Sequence, residues 1–322
     1  MKIKNVSRRK AIAQTGMILG AAWASQSLRA APASSASADV PSAGDPFLFC
    51  LNTATIRGQN LGLVKEIEVA AQAGYQAIEP WTSSLEDHVK KGGSLKDINK
   101  RLRDAGLTME SAIGFPEWIV DDDSKRAAGL ERAKYEMDLI AQAGGKRLAA
   151  PPAGATGLPL LDLSRAAERY RALLEAGDQI GVVPQLELWG FSKNLHRLGQ
   201  CAFVALETGH PKACVLTDVF HLYKGGSDFH GMKLLASRAL QVMHMNDYPD
   251  DPPRDKINDS FRVYPGDGHA PLTDILRVLR ETGGQKVLSL EVFNRKYWEQ
   301  DPLEVAKTGL EKMKAAAQRA LG

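Results

Sequence analysis

The chain has 322 residues, of which 44% are hydrophobic and 25% are charged. This composition is ordinary for a globular protein and provides enough apolar side chains for a large core. A net charge of +3, from 41 basic and 38 acidic residues, excludes a strong overall field that would attract nucleic acid or an acidic membrane. Three scattered cysteines without a Cys-x-x-Cys pair exclude a disulfide scaffold and indicate free thiols.

The first forty residues differ in composition from the rest of the chain. A basic start with Arg8 and Arg9 precedes a weakly apolar stretch, and a tail of small residues follows. This pattern predicts a signal peptide with a small-residue linker over residues 1–38, cleaved after Ala33 or Ala38, and the paired arginines are typical of the twin-arginine (Tat) route. The apolar stretch is shorter than the roughly 20 residues that span a bilayer. We therefore expect an exported, periplasmic protein without a stable membrane anchor; a non-cleaved N-terminal helix is the alternative.

From Phe47 onward, apolar runs of strand length alternate with amphipathic runs of helix length. Several helical runs end at a glycine, as at Gly74 and Gly106. Repetition of helix, glycine and strand indicates parallel β/α units. The predicted strands span residues 47–53, 76–81, 107–114, 146–152, 182–189, 213–220, 240–247 and 286–293.

Eight β/α units predict an α/β fold, namely a single-domain (β/α)8 TIM barrel over residues 47–322. The length fits, because such barrels usually contain about 250 residues. A doubly wound open sheet is the alternative, but the segment after the first strand lacks a G-x-G-x-x-G fingerprint. Long loops follow the second and seventh strands. In a barrel both would lie at the C-terminal mouth, where barrel enzymes carry their active sites.

Each of the last four predicted strands carries an ionisable side chain near its C-terminal end. These residues are Glu187, Asp218, His244 and Glu291. An unpaired ion is costly in a buried strand, so this recurrence indicates a cation that the four side chains share. Three carboxylates and one imidazole suit Mn²⁺, Mg²⁺ or Co²⁺, and Zn²⁺ is also compatible. We predict one divalent metal ion at the barrel mouth and no other cofactor.

The segments around these residues resemble the xylose isomerase-like TIM-barrel superfamily, in its sugar phosphate isomerase/epimerase branch. The similar segments are GYQAIEPW, ELW with Glu187, Asp218-x-x-His221, HMND with His244, YPGDG, and LSLEVF with Glu291. The resemblance implies that the Glu, Asp, His and Glu side chains bind one metal, and that Glu187 and Glu291 also exchange protons with adjacent substrate carbons. It further implies a substrate contact at His221.

Other side chains are candidates for substrate binding. Trp189 ends the fifth strand and could stack on an apolar sugar face. Glu79 ends the second strand, where relatives often carry an acid, and Arg254 lies with Arg262 and His269 in the long seventh loop. Ketose epimerases of the superfamily commonly carry an arginine soon after the histidine ligand. Here that stretch is NDYPDDPPR, so the nature of the sugar stays open.

These features predict a metal-dependent sugar isomerase or epimerase that acts on a small carbohydrate through an enediolate. A lyase or dehydratase that acts on a keto-sugar or a 3-keto-glycoside by the same enolate chemistry is one alternative. A non-catalytic periplasmic sugar-binding barrel is another, although binding alone needs no pair of bases. The strand ends offer too few histidines for a DNA-repair endonuclease, and no basic groove is apparent, so we expect no nucleic acid partner. The sequence is compatible with a homo-oligomer.

Overall fold

A computed structural model describes residues 45–322, which contain one eight-stranded sheet in the order β3-β2-β1-β8-β7-β6-β5-β4. Every paired neighbour is parallel. All eight predicted strands are present. They are β1 Phe47–Asn52, β2 Ala77–Glu79, β3 Thr108–Met109, β4 Arg147–Ala150, β5 Val183–Glu187, β6 Val215–Asp218, β7 Val242–Met245 and β8 Lys286–Leu290.

The two ends of the sheet are joined just beyond β3. Ala112 forms a parallel bridge with Leu148 of β4. The Ala112 amide donates to the carbonyl of Arg147 at 3.0 Å, and the Ala149 amide donates to the carbonyl of Ala112 at 2.9 Å. The sheet therefore closes into a (β/α)8 barrel, although β3 has only two regular residues where the sequence predicted eight.

Helices connect the strands around the outside of the barrel. They are α1 Leu63–Ala73, α2 Thr82–Lys90, α3 Leu95–Asp104, α4 Asp123–Gln142, α5 Leu163–Ile180, α6 Leu198–Glu207, α7 Val219–Gly225, α8 Leu272–Glu281, α9 Arg295–Trp298 and α10 Pro302–Leu321. Short 3-10 helices span Thr53–Gln59, Phe229–Leu234, Ser237–Ala239 and Asp259–Phe261. In α1, buried Leu63, Ile67 and Ala70 recur at helical spacing, and Gly74 ends the helix with a φ of 90° that favours glycine.

Side-chain alternation along the strands divides the core into two layers. Outward-facing residues such as Met243 and Leu288 pack in the main core against the helices. Inward-facing residues such as Leu216, Val242 and Val287 form a smaller cluster inside the barrel. Because successive side chains alternate in direction, the inward residue that reaches the mouth lies two positions after Leu216 and Val242 and four positions after Val287. The fold thus places the ends of β5 to β8 above an apolar floor.

Cys50, Cys201 and Cys214 are buried free thiols, as the sequence predicted. The predicted leader, residues 1–38, lies outside the described residues, so the export route stays a prediction. In the part of the chain that the structure describes, no helix is both long enough and apolar enough to cross a membrane.

Candidate metal centre and active site

The barrel brings the four predicted metal ligands together at its mouth. Asp218 at the end of β6 is the register partner of His244 in β7. Ligand atoms of Asp218, His244 and Glu291 all lie within 4.8 Å of one another. Glu187 ends β5, and its Oε1 lies 3.7 Å from His244 Nδ1. All four side chains are buried, so the cluster concentrates three carboxyl groups where water cannot screen their charges.

His244 has a different carboxylate on each side of its ring. Its Nδ1 lies 3.1 Å from Glu291 Oε2, and its Nε2 lies 3.1 Å from Glu79 Oε2. Glu79 Oε2 also accepts hydrogen bonds from Asn52 Nδ2 at 3.0 Å and from Ser289 Oγ at 2.6 Å. A carboxylate behind a metal-binding imidazole commonly fixes the ring and its tautomer. Glu79 is fully buried in this position and orients His244. The sequence analysis instead named Glu79 as a substrate contact.

Arg262, which the sequence analysis named with Arg254 and His269 in the seventh loop, lies in the centre of the cluster. Arg262 Nη1 donates to Asp218 Oδ2 and to Glu291 Oε2, both at 2.9 Å. Its Nη2 donates to Asp259 Oδ1 at 2.5 Å and lies 3.1 Å from His221 Nε2. The side chain is buried. The loop that follows β7 therefore brings one arginine to the cluster.

The loop between β7 and α8, residues 248–270, is called the seventh loop below, and it does not bring its other basic candidates to the cluster. Arg254 is exposed, and its guanidinium lies beside Gly226 at the end of α7. Its carbonyl accepts a hydrogen bond from Lys224 Nζ at 2.9 Å. His269 is exposed, with its Nε2 3.5 Å from Asp250 Oδ1. Arg262, and not Arg254, is therefore the residue of the seventh loop that lies at the site. In the sequence, the turn Tyr264–Gly268 directly after Val263 marks the position of Arg262.

His221, for which the family resemblance implied a substrate contact, lies beside the cluster. Its amide donates to Asp218 Oδ1 at 2.7 Å, which starts α7. Burial lowers the pKa of His221 although Asp218 opposes the shift, so the ring is neutral at pH 7. Nε2 faces the Arg262 donor and acts as the acceptor, so Nδ1 carries the proton. Nδ1 is buried without a hydrogen-bond partner among residues 45–322, and it is free to donate to a substrate oxygen.

The two glutamates have opposite electrostatic environments. Burial raises the pKa of Glu187 to about 8; His244 opposes this shift, and the neighbouring carboxylates, Glu291 first, add to it. Burial also acts to raise the pKa of Glu291, but His244 and Arg262 outweigh it and the net pKa lies below the ordinary value. Glu291 Oε1 accepts from Asn52 Nδ2 at 3.1 Å, whereas Glu187 Oε2 has no partner within the described range. Glu291 is thus held in place, and Glu187 has a free oxygen.

The donor set fits a divalent cation. His244 Nδ1 and Glu187 Oε2 are buried ligand atoms that form no hydrogen bond in the described part of the chain. Oxygen-rich sites with one imidazole bind Mn²⁺, Mg²⁺, Co²⁺ or Zn²⁺. The same residues provide no cysteine sulfur, so a thiolate site is absent from this cluster. A divalent metal bound here would satisfy the atoms that the protein leaves without partners.

Trp189, the remaining predicted substrate contact, lies at the mouth beyond β5. Its ring centroid lies 5.1 Å from that of Phe191 and 5.9 Å from that of Phe115. The sequence pointed to Trp189 as an aromatic residue at a strand end. It did not show the contact with Phe115, because Phe115 follows β3 and is distant in the chain.

The closed sheet and its mouth cluster place the chain among TIM-barrel proteins. Residues 67–316 match the family model described as xylose isomerase-like TIM barrel. The match covers well over half of the chain, and the chain belongs to this family. The resemblance inferred from the motifs around the four ligands is thereby confirmed.

Two curated relatives and one solved structure illustrate the similarity. Inosose isomerase of Bacillus velezensis is 25% identical over 274 residues, which cover 84% of this chain and 97% of that protein. The 3-dehydroshikimate dehydratase of Pseudomonas aeruginosa is 26% identical over 242 residues, which cover 72% of this chain but 36% of that protein. The crystal structure of the IOLI protein with a binding zinc atom has a TM-score of 0.77 at 21% identity and covers 85% of this chain and 99% of that one. At this identity, the structural likeness establishes the fold.

Proposed function

We propose that the protein is a divalent-metal-dependent isomerase or epimerase that acts on a ketose or a related cyclic polyol ketone through an enediolate. The observation that carries this proposal is the convergence of Glu187 and Glu291 on one centre. They come from β5 and β8, which flank β6 and β7 in the sheet. A cation site alone does not require two carboxylates with such different hydrogen bonding. The similarity to inosose isomerase supports the same class of reaction.

Four side chains would hold the metal. Glu187, Asp218 and Glu291 would bind through carboxylate oxygens, and His244 through Nδ1, because its Nε2 faces Glu79. A bound dication supplies positive charge next to the substrate carbonyl, where an enediolate oxygen becomes negative. Mn²⁺, Mg²⁺ and Co²⁺ fit the oxygen-rich set, and the zinc-containing relative also supports Zn²⁺.

The protein's own residues then move the proton. Glu291, which its lowered pKa keeps ionised, takes a proton from the carbon next to the carbonyl, and Glu187, which its raised pKa keeps protonated, returns one to the opposite face or to the adjacent carbon. Return to the opposite face inverts a stereocentre, whereas return to the adjacent carbon interconverts an aldose and a ketose. In the reverse direction the two glutamates exchange roles. Two carboxyl groups in contrasting environments are typical of such acid/base pairs.

The neighbouring donors orient both the glutamates and the substrate. Arg262 fixes Asp218 and Glu291 through one nitrogen, so it holds a ligand and a proton carrier in one geometry. We propose that His221 donates its unpartnered Nδ1 proton to a substrate oxygen. We propose that Trp189 packs against an apolar face of the substrate.

The alternative with specific support is a dehydratase or lyase. The similarity to 3-dehydroshikimate dehydratase favours it, although this chain spans about a third of that protein. Glu291 would remove the same proton, and the enolate would then expel the oxygen substituent of the next carbon, which Glu187 protonates as it leaves, instead of regaining a proton on carbon. The two reactions share the first step and differ in the product.

Solvent exchange tests the proposal. Protein loaded with Zn²⁺, Mn²⁺, Mg²⁺ or Co²⁺ is incubated in D₂O with inosose, a panel of ketoses and 3-keto-glucosides, and deuterium bonded to carbon is measured by NMR. We expect exchange that Glu187→Gln and Glu291→Gln abolish and that Glu168→Gln, an exposed control, preserves. A new stereoisomer or ketose identifies an isomerase, and loss of water or an aglycone identifies the lyase. Binding of a ketone without any exchange contradicts the proposal and favours a sugar-binding barrel.

A further inference from the structure

A belt of five aromatic side chains lines the barrel mouth around the acid cluster. Its members follow β2, β3, β5 and β8, and we call them the aromatic belt: Trp81, Phe115, Trp189, Phe191 and Phe293. Ring centroids of neighbouring members lie 6.4 Å apart for Phe293 and Trp81, and 5.0 Å apart for Trp81 and Phe115. The belt continues from Phe115 to Trp189 at 5.9 Å and to Phe191 at 5.1 Å.

Two residues of the catalytic cluster close the belt into a ring. The Phe191 centroid lies 5.7 Å from that of His221, whose Nε2 contacts Arg262. The Arg262 guanidinium carbon in turn lies 5.3 Å from the centroid of Phe293. The aromatic surface is therefore continuous with the side chains that we assign to the reaction. It forms the wall of the same site.

Two side chains of the aromatic belt remain exposed to solvent although their neighbours are large. Phe115 is 40% exposed and Phe191 is 45% exposed. One face of Trp81 is already covered, because the Arg57 guanidinium carbon lies 3.8 Å from its ring centroid. Exposed apolar surface at an active-site rim is typical of a ligand groove. The free apolar surface of this rim is concentrated at Phe115 and Phe191.

A single sugar ring would cover only part of this aromatic surface. A sugar presents one patch of C–H groups, which a single aromatic ring can cover, whereas its hydroxyl groups need polar partners. Five aromatic rings with two of them open match a ligand that has a planar apolar part of its own, because aromatic pairs gain energy beyond simple area burial. The acid cluster would bind the oxygens of the sugar, and the belt would bind the apolar part.

We propose that the substrate is a keto-glycoside with an aromatic aglycone, which stacks on Phe115 and Phe191 while the keto-sugar ring meets the acid cluster. This inference rests on the proposed function and names its substrate class. It applies equally whether the reaction ends in proton return or in elimination.

A matched pair of probes tests the inference. Binding of methyl and phenyl 3-keto-β-D-glucopyranoside to zinc-loaded protein is measured by stopped-flow quenching of tryptophan fluorescence, before turnover. We expect the phenyl compound to bind about tenfold more tightly or better. Phe115→Ala or Phe191→Ala should remove about that factor for the phenyl compound and leave the methyl compound within about twofold. Phe191→Tyr, which keeps a ring, should retain the preference.

The control variant is Phe203→Ala, which removes a similarly exposed ring, 38% accessible, from the outer helix α6. It should change neither affinity. Equal affinity of the original protein for the two probes overturns the inference. An equal loss of affinity for both probes in the belt variants also overturns it, because it would indicate that the two phenylalanines only support the packing of the site. Deuterium exchange with the methyl compound is measured in parallel. Exchange without a phenyl preference overturns only the substrate class, whereas a phenyl preference without exchange overturns the proposed function and leaves an aryl-glycoside-binding site.

Discussion

At the scale of single residues, the cluster separates fixed ligands from movable ones. Asp218 accepts hydrogen bonds from the His221 amide at 2.7 Å, from Asn246 Nδ2 at 3.1 Å and from Arg262 at 2.9 Å. A carboxylate held by three donors has little rotational freedom, so Asp218 is suited to bind a metal and not to carry protons. Glu187 lacks such donors and keeps the freedom that proton transfer needs.

Arg262 allows a direct test of this division. Replacing Arg262 by Lys keeps the charge but removes the fork that reaches several acceptors at once. We expect the rate of deuterium exchange to fall about 100-fold, with zinc affinity within about tenfold of the original, because the carboxylates lose their orientation while all four ligands remain. Exchange is followed by NMR and zinc binding by calorimetry.

Arg254→Lys is the matched control, since Arg254 belongs to the same loop but lies exposed beside Gly226. It should leave both measurements unchanged. If Arg254→Lys impairs exchange and Arg262→Lys does not, the placement of Arg262 in the site is contradicted and the original expectation for Arg254 is restored.

At the scale of elements, Asp247 ties the two ends of the seventh loop together. Its Oδ1 accepts from the amides of Tyr248 and Ala270, both at 2.8 Å, and its Oδ2 accepts from the amide of Gly266 at 2.9 Å. Asp247 also pairs through its backbone with Val263, the residue after Arg262. The loop that supplies the arginine is therefore fixed by a carboxylate at its base.

Replacing Asp247 by Asn should loosen this loop. One carboxylate oxygen becomes an NH₂ group that cannot accept from a backbone amide, and the loss should cost about 2 kcal/mol of local stability. Hydrogen-deuterium exchange of residues 248–270 should become faster, and substrate turnover should fall as Arg262 loses its position. Asp250→Asn removes an exposed acid of the same loop and should change neither. Unaltered protection in Asp247→Asn would show that other contacts hold the loop.

Helix α1 contains a buried carboxyl group that the proposed reaction does not use. Burial raises the pKa of Glu66 to about 7, although Arg57 opposes the shift, and its Oε2 has no hydrogen-bond partner in the described residues. The ordinary value is 4.5, so the folded state binds a proton that the unfolded state has lost between pH 4.5 and about 7. The free energy of unfolding must fall as the pH rises through this window.

Replacing Glu66 by Gln should remove that dependence. The variant should match the original protein at pH 4 and exceed its free energy of unfolding by about 3 kcal/mol at pH 8, because each unit of pKa shift corresponds to about 1.4 kcal/mol. Urea unfolding at several pH values measures the difference. Glu68→Gln, in the same helix but exposed, should show no pH-dependent gain. A constant difference at all pH values would show that Glu66 does not titrate in this window.

At the scale of the whole molecule, the sequence predicts whatever is local or periodic. The eight strands and four ligands follow from alternation and from charges in otherwise apolar runs. The aromatic belt and the partnership of Glu79 with His244 were missed, and Arg262 was named only as one of three basic residues of the seventh loop, because most of these contacts join segments that are distant in the chain. No periodic pattern marks such contacts; they result from barrel closure and from the path of the seventh loop.

The proposed ligand set spans β5 to β8, so metal binding should stabilise the barrel as a whole. A ligand that binds only the folded state adds about 2.7 kcal/mol at a free concentration of 100 times its Kd, which for a domain of this size raises the Tm by roughly 5 °C. We expect this rise when chelator-treated protein receives Zn²⁺ or Mn²⁺, measured by scanning calorimetry. Asp218→Asn should abolish it while its Oδ1 still accepts from the His221 amide at the start of α7. Asp228→Asn, which alters an exposed acid elsewhere, should retain the full shift. Equal melting of chelated and metal-loaded protein would mean that the three carboxylates and the imidazole do not bind the cation together.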